Sequence, residues 1–262
     1  MSEKISFEMV LKTATGLPMV KIDREKFLSS ALKPYFDEET IRIAIEHNPA
    51  YAGISIEQIE KIAKESINYE TAKVTALSVA AGLPGGFAMI GTVPADLTQY
   101  FGHMLRILQK LIYLYGWQDL YDENDTMSDE MQSLLTLFTG IMFGVNGAAA
   151  AIQKIAEKAA ENVAKKLAQK ALMKGAIYPI VKKVASYLGV HMTKTVFARG
   201  VSKVIPVIGG VASGGLTFAT YKPMAIKLKK HLEKFETANV EFYRNIKENS
   251  YTVVDEDTIV TE

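Results

Sequence analysis

No cysteine occurs anywhere in the chain, which removes disulfides, thiolate nucleophiles and Cys-based zinc sites. Histidine is scarce as well: His47, His103, His191 and His231 stand far apart, and none has a partner at metal-ligand spacing. Acids are missing from a long central run. Between Glu161 and Glu233 there is neither Asp nor Glu, while the same span carries twelve lysines, from Lys165 and Lys166 to Lys229 and Lys230. Arg199 is its only arginine. Sequence-specific nucleic-acid recognition usually calls on arginines for base edges or exposed aromatics for stacking, so a nucleic-acid partner is disfavoured. Phosphate-loop and nucleophile-elbow patterns are absent too. Gly82-Leu-Pro-Gly-Gly86 lacks the Walker lysine, and Val211 stands where the first glycine of a G-x-S-x-G turn belongs.

What is present is apolar and helical. Hydrophobic residues make up 48% of the 262 positions and charged ones 23%, enough for a sizeable core. Three stretches carry no charge: 74–95, 131–153 and 204–221. The first and third are broken by Gly and Pro. The second matches the ~20 residues that cross a bilayer. After the first, Leu97, Tyr100, Phe101, Met104, Leu105, Leu108, Leu111, Ile112 and Tyr115 recur at helical spacing. Pro94 suits the first helical position, Asp96 the positive end of the helix dipole, and Gly116 a left-handed stop.

Stop and start signals predict helices over Phe7–Thr15, from Asp23 to Leu32 and from Asp37 to His47. Ser55 and Gln58 form a capping-box pair opening a helix to Ile67. Trp117–Glu130 reads as an exposed acidic connector. Asp122, Glu123, Asp125 and Asp129 do not fall in EF-hand register there. Lys154–Lys174 and a segment ending at Leu188 read as helices, and Pro223 as the start of a long charged helix to about Asn249. The expected fold is all-α: a single compact multi-helix domain with Gly/Pro-broken hydrophobic helical hairpins. Residues 1–50 are expected to form a helical extension, 51–249 the main domain and 250–262 an acidic flexible tail. Met1–Val20 lacks the uninterrupted apolar core of a signal peptide, so general secretory export is not expected.

Several words of the sequence resemble the EcsC protein family of bacteria. They are Gly82-Leu-Pro-Gly-Gly86 (with Pro84 and Gly85), Val93-Pro94-Ala-Asp96, Leu114-Tyr-Gly116, and Lys203-Val-Ile-Pro206-Val-Ile-Gly209-Gly210. One departure is Ser213, where the family pattern has Asn. The resemblance implies an all-helical, membrane-linked bacterial protein and names no catalytic residue.

Together with the charge segregation, it sets the leading expectation: a non-enzymatic protein peripheral to the cytoplasmic face of an anionic inner membrane. Lys165, Lys166, Lys170, Lys182, Lys183 and Lys203 would attract acidic head groups. Val204, Ile205, Val207, Ile208, Leu216 and Phe218 would supply apolar contact, with insertion of a Gly-rich hairpin as a further step. Such a protein would serve a membrane transporter or perturb the bilayer. Two alternatives stay open: a soluble helical interaction or oligomerisation module, and a lipid-directed enzyme using Asp96 or His103. No cofactor or metal is implied.

Overall fold

The computed structural model describes residues 6–17, 19–80, 89–90, 93–122, 124–164, 177–191 and 213–248. It is all-α, a single compact helical domain. Within those residues run α1 (Phe7–Thr15), α2 (Arg24–Leu32), α3 (Glu38–Glu46), α4 (Ile56–Ala80), α5 (Ala95–Leu114), α6 (Asp129–Phe143), α7 (Ala148–Ala164), α8 (Tyr178–His191) and α9 (Ser213–Leu232). A 3-10 turn (Glu236–Ala238) follows, then a last helix, α10, over 240–248. Two dipeptides, β1 (Met89–Ile90) and β2 (Val93–Pro94), pair antiparallel just before α5. Pro94 therefore ends this pairing, one residue ahead of the helix.

Local chemistry explains the boundaries. Side-chain oxygens of Ser6, Asp23, Asp37 and Ser128 each accept an N–H from the first turn of α1, α2, α3 and α6, satisfying donors that have no partner inside the helix. Ser55 and Gln58 do this reciprocally at the start of α4. Gly116, at φ 93°, closes α5. There the Trp117 N–H reaches the Ile112 carbonyl and the Gly116 N–H reaches Tyr113, the double bond of a Schellman end.

Helix α5 lies at the centre. The sequence shows one apolar face, but the fold also buries Ile107, Tyr113 and Leu114, leaving only His103, Arg106 and Lys110 partly open from Phe101 onward. Around it pack α1, α2, α4 and α9. Phe7, Val10, Leu11, Leu28 and Leu32 belong to the same core as Leu105, Leu108 and Leu111. Helices α1 and α2 thus share their core with α5. Each fully buried Leu or Phe contributes roughly 1.5–3 kcal/mol.

Three expectations are corrected. The connector after α5 is exposed only in part: Asp119, Asp122, Asn124, Asp125, Thr126, Ser128 and Asp129 face solvent, but Trp117 and Leu120 are buried, with Trp117 edge-on to Phe138 at 5.0 Å. The uncharged stretch at 131–153 is not one span: α6 ends in a second Schellman turn at Gly144 (φ 73°), and Gly147 (φ 91°) redirects the chain into α7. Its residues Leu134–Met142 are sealed in the core. Among the described residues no helix is long and apolar enough to cross a membrane. Finally, Pro223 lies inside α9 rather than at its start. Burial of Tyr221, Ala225 and Leu228 offsets the ~3 kcal/mol that a proline interior costs. The charged run also breaks at Glu233–Asn239, where the Asn239 side chain accepts the Phe242 N–H and opens α10.

Candidate functional site

Helix α8 is amphipathic in a way that separates lysine from core. Val181, Val184, Ala185 and Leu188 are buried. Gly140 lets α6 approach closely: a Cβ added there would stand 2.6 Å from Val184 Cγ1. The opposite face carries Tyr178, Lys182, Lys183, Ser186, Tyr187 and Val190, all exposed. Tyr178 is 55% and Val190 56% exposed, high values for residues that could have been buried. The Lys182 ammonium stands 5.5 Å from the Tyr178 ring centroid, within cation–π range. No carboxylate belongs to this helix.

Of the other residues expected at a lipid surface, Lys165, Lys166, Lys170, Lys203, Val204, Ile205, Pro206, Val207, Ile208 and Gly209 lie outside the described residues, as do Gly82, Pro84, Gly85 and Gly86. Leu216 and Phe218 fall in the first turns of α9. Lys229, part of the same basic span, is not available to lipid. Its side chain is only 5% exposed and is paired with Glu60 at 2.9 Å and with Glu233. Hydrogen bonds from Lys64 and Lys229 hold the Glu60 carboxyl down at about 2, and Tyr115 donates to Glu233 at 3.3 Å.

A second concentration of charge lies between α4 and α5. Glu70 is fully buried, with Lys110 Nζ at 2.6 Å and Arg106 Nη2 at 3.4 Å. Burial pushes its carboxyl up, but Lys110 and Arg106 outweigh that and hold it below the usual range. Lys110 also stands over the rings of Phe27 and Tyr69. The Arg106 guanidinium donates to the Met19 carbonyl. Beside it opens a recess of about 200 Å³ bordered by Leu17, Met19, Val20, Gln99, Gly102, His103 and Arg106. Burial lowers the His103 pKa; Glu70 pulls it back up, and Arg106 and Lys73 push it further down. His103, which the sequence offered with Asp96 for a lipid-directed enzyme, borders this recess. Asp96 sits in the first turn of α5.

The acidic loop is held by its own bonds. Asp122 accepts the Asn124 and Thr126 N–H groups at 2.9 and 2.8 Å, while Asp125 pairs with Lys21. Among the described residues no three His, Asp or Glu side chains converge as a metal site. Comparison with protein-family models, curated proteins and solved structures returns no match.

Two buried polar centres went unread in the sequence. Arg24, 6% exposed, donates to the carbonyls of Ile45 at 2.7 Å and His47 at 3.0 Å, closing the end of α3, and to Trp117 at 3.1 Å. Asn48 is fully buried. Its amide donates to the Gly116 and Thr237 carbonyls and to the Tyr243 hydroxyl at 2.8 Å, while its oxygen accepts the Tyr51 N–H. The signal for Arg24 and Glu70 was present: Arg24 continues the Leu28–Leu32 stripe, and Glu70 lies between Ile67 and Val74 on the buried stripe of α4. A charge on an apolar stripe needs an internal partner.

Proposed function

We propose that the protein binds peripherally to anionic phospholipid at the cytoplasmic face of a bacterial membrane through the outer face of α8. The observation that carries this reading is the surface of Tyr178, Lys182, Lys183, Tyr187 and Val190, lysine beside apolar and aromatic groups with no acid on the helix. Lysine stems lie along apolar surface while the ammonium reaches phosphate, and tyrosines suit the interfacial layer. The EcsC-like wording of Val93–Asp96 and Leu114–Gly116 is compatible with a membrane-linked role, and membership of that family is part of the proposal. The basic residues 165, 166, 170 and 203 would extend the surface, and the Val204–Phe218 segment would add apolar contact. A transporter or the bilayer itself is then the target.

Each lysine near an acidic surface contributes about 1 kcal/mol. Replacing Lys182 and Lys183 together with Glu should weaken binding to phosphatidylglycerol-containing vesicles by roughly 30-fold or more, since 1.4 kcal/mol is tenfold. Co-sedimentation at low salt and at about 1 M, where the Debye length is about 3 Å, measures this. Binding that is equal for neutral vesicles, or indifferent to both salt and the double replacement, would refute the reading. No binding at all would favour the soluble interaction module. The described border of the recess holds His103 but no carboxylate or hydroxyl nucleophile, so it supports ligand binding better than lipid chemistry.

A further inference from the structure

The recess beside α5 is a built cavity. Gln99, Gly102, His103 and Arg106 follow at steps that place them on one stripe of the helix. Gly102 forms the floor, because a Cβ there would stand 3.0 Å from Val20 Cγ2. The facing wall is Leu17, Met19 and Val20. That wall is pinned twice: Gln109 donates to the Val20 carbonyl at 2.9 Å and accepts the Ile22 N–H, and Arg106 donates to Met19. The space is far above the ~10–15 Å³ that one water requires, and it needs no rearrangement to open.

Its chemistry is two-sided. Three border residues are apolar side chains. The polar stripe carries an excess of positive charge, because the single buried carboxylate of Glu70 faces both Arg106 and Lys110, with Lys73 one turn further along α4. A guanidinium has five N–H groups, and those of Arg106 make three bonds, two to Glu70 and one to Met19. Among the described residues two therefore find no acceptor, one on each terminal nitrogen. The His103 ring makes no hydrogen bond among the described residues; only its backbone carbonyl is engaged, by Tyr221. Half-buried donors with spare capacity next to a cationic excess form a site for an anion, and the apolar wall asks for a hydrocarbon attached to it.

We propose that this recess binds a small amphiphile with one anionic head, a carboxylate or a phosphate monoester. The head lies between His103, Arg106 and Gln99, and the short chain lies against Leu17, Met19 and Val20. The site uses no residue of α8, so vesicle binding and occupancy of the recess are separable.

Calorimetric titration of the full chain with octanoate, octyl phosphate, octanol and inorganic phosphate tests it. Octanoate and octyl phosphate should bind at least tenfold more tightly than octanol or inorganic phosphate. Arg106→Gln and His103→Gln should each weaken octanoate at least fivefold. Octanol binding as well as octanoate would show a merely apolar hole, and inorganic phosphate binding as well as octyl phosphate would show a bare anion site. Either result overturns the proposal, as does absence of binding or indifference to both replacements. If Arg106→Gln fails to fold, His103→Gln still decides, because its ring supports no described bond. As a second readout, octanoate should shift the His103 ring resonances while leaving those of His231 in place.

Discussion

Replacing Glu70 with Gln removes one negative charge from a place water does not reach. Lys110 Nζ lies 2.6 Å and Arg106 Nη2 3.4 Å from Oε1, with the three side chains 0%, 12% and 18% exposed. At an effective dielectric constant near 20, each close attraction is worth several kcal/mol, most of it offset by desolvation. What the replacement exposes is the other side of that balance: two cations left facing each other. Breaking such a buried pair costs about 3–5 kcal/mol. We expect the lower end, since Arg106 keeps the Met19 carbonyl and Lys110 keeps its two rings. In a chain of this size 1 kcal/mol moves the melting point by about 2–4 °C, so a drop of about 6–12 °C should appear in calorimetry at pH 7. The pH dependence follows from the direction of the shift. Glu70 titrates lower when folded than when unfolded, so its contribution is complete above the unfolded value near 4.3 and is lost as pH falls through the folded value. The gap between the parent and Glu70→Gln should therefore close on acidification. A folded variant that loses less than about 1 kcal/mol, or a gap unchanged from pH 7 to pH 3, would refute the assignment of this ion cluster.

Gly116→Ala should destabilise by about 3 kcal/mol or more in urea titration: positive φ alone costs about 1–3 kcal/mol, and the new methyl would press on the Thr237 carbonyl with Asn48 Nδ2 at 3.0 Å. Asn48→Ala strands the carbonyls of Gly116 and Thr237 and should cost about 2–4 kcal/mol, read as a lower urea midpoint with unchanged slope. Gly140→Ala forces α6 away from Val184 and Ala148 and should cost about 1–3 kcal/mol, detectable in the same titration; a neutral result would mean that the α6–α8 approach is looser than described.

Helix boundaries were readable wherever a short side chain does a local job. Asp23, Asp37, Ser55 and Gly116 each act within four residues of themselves, and α2, α3, α4 and α5 begin or end where they indicate. Distant determinants were not readable. Helix α4 runs on past Ile67 to Ala80 because α9 and α5 pack along it, and Pro223 stays helical for the same reason. The turn at Gly144–Gly147 was hidden by an uncharged composition that suits a span and a tight hairpin equally well. For the site, lysine segregation led to α8, and His103 was singled out. Arg106 and Lys110 escaped notice because each looks like an ordinary surface charge until α4 and α5 are laid together, and Glu70, although on a buried stripe, does not name its partners.

Asn48 sets an order of events during synthesis. Its hydrogen-bond partner Tyr243 follows 195 residues later. At about 5–20 residues per second, the ribosome delivers that hydroxyl on the order of 10–40 s after Asn48 itself. The early helices can collapse in that interval, but their central amide lacks its hydroxyl partner until α10 has been made.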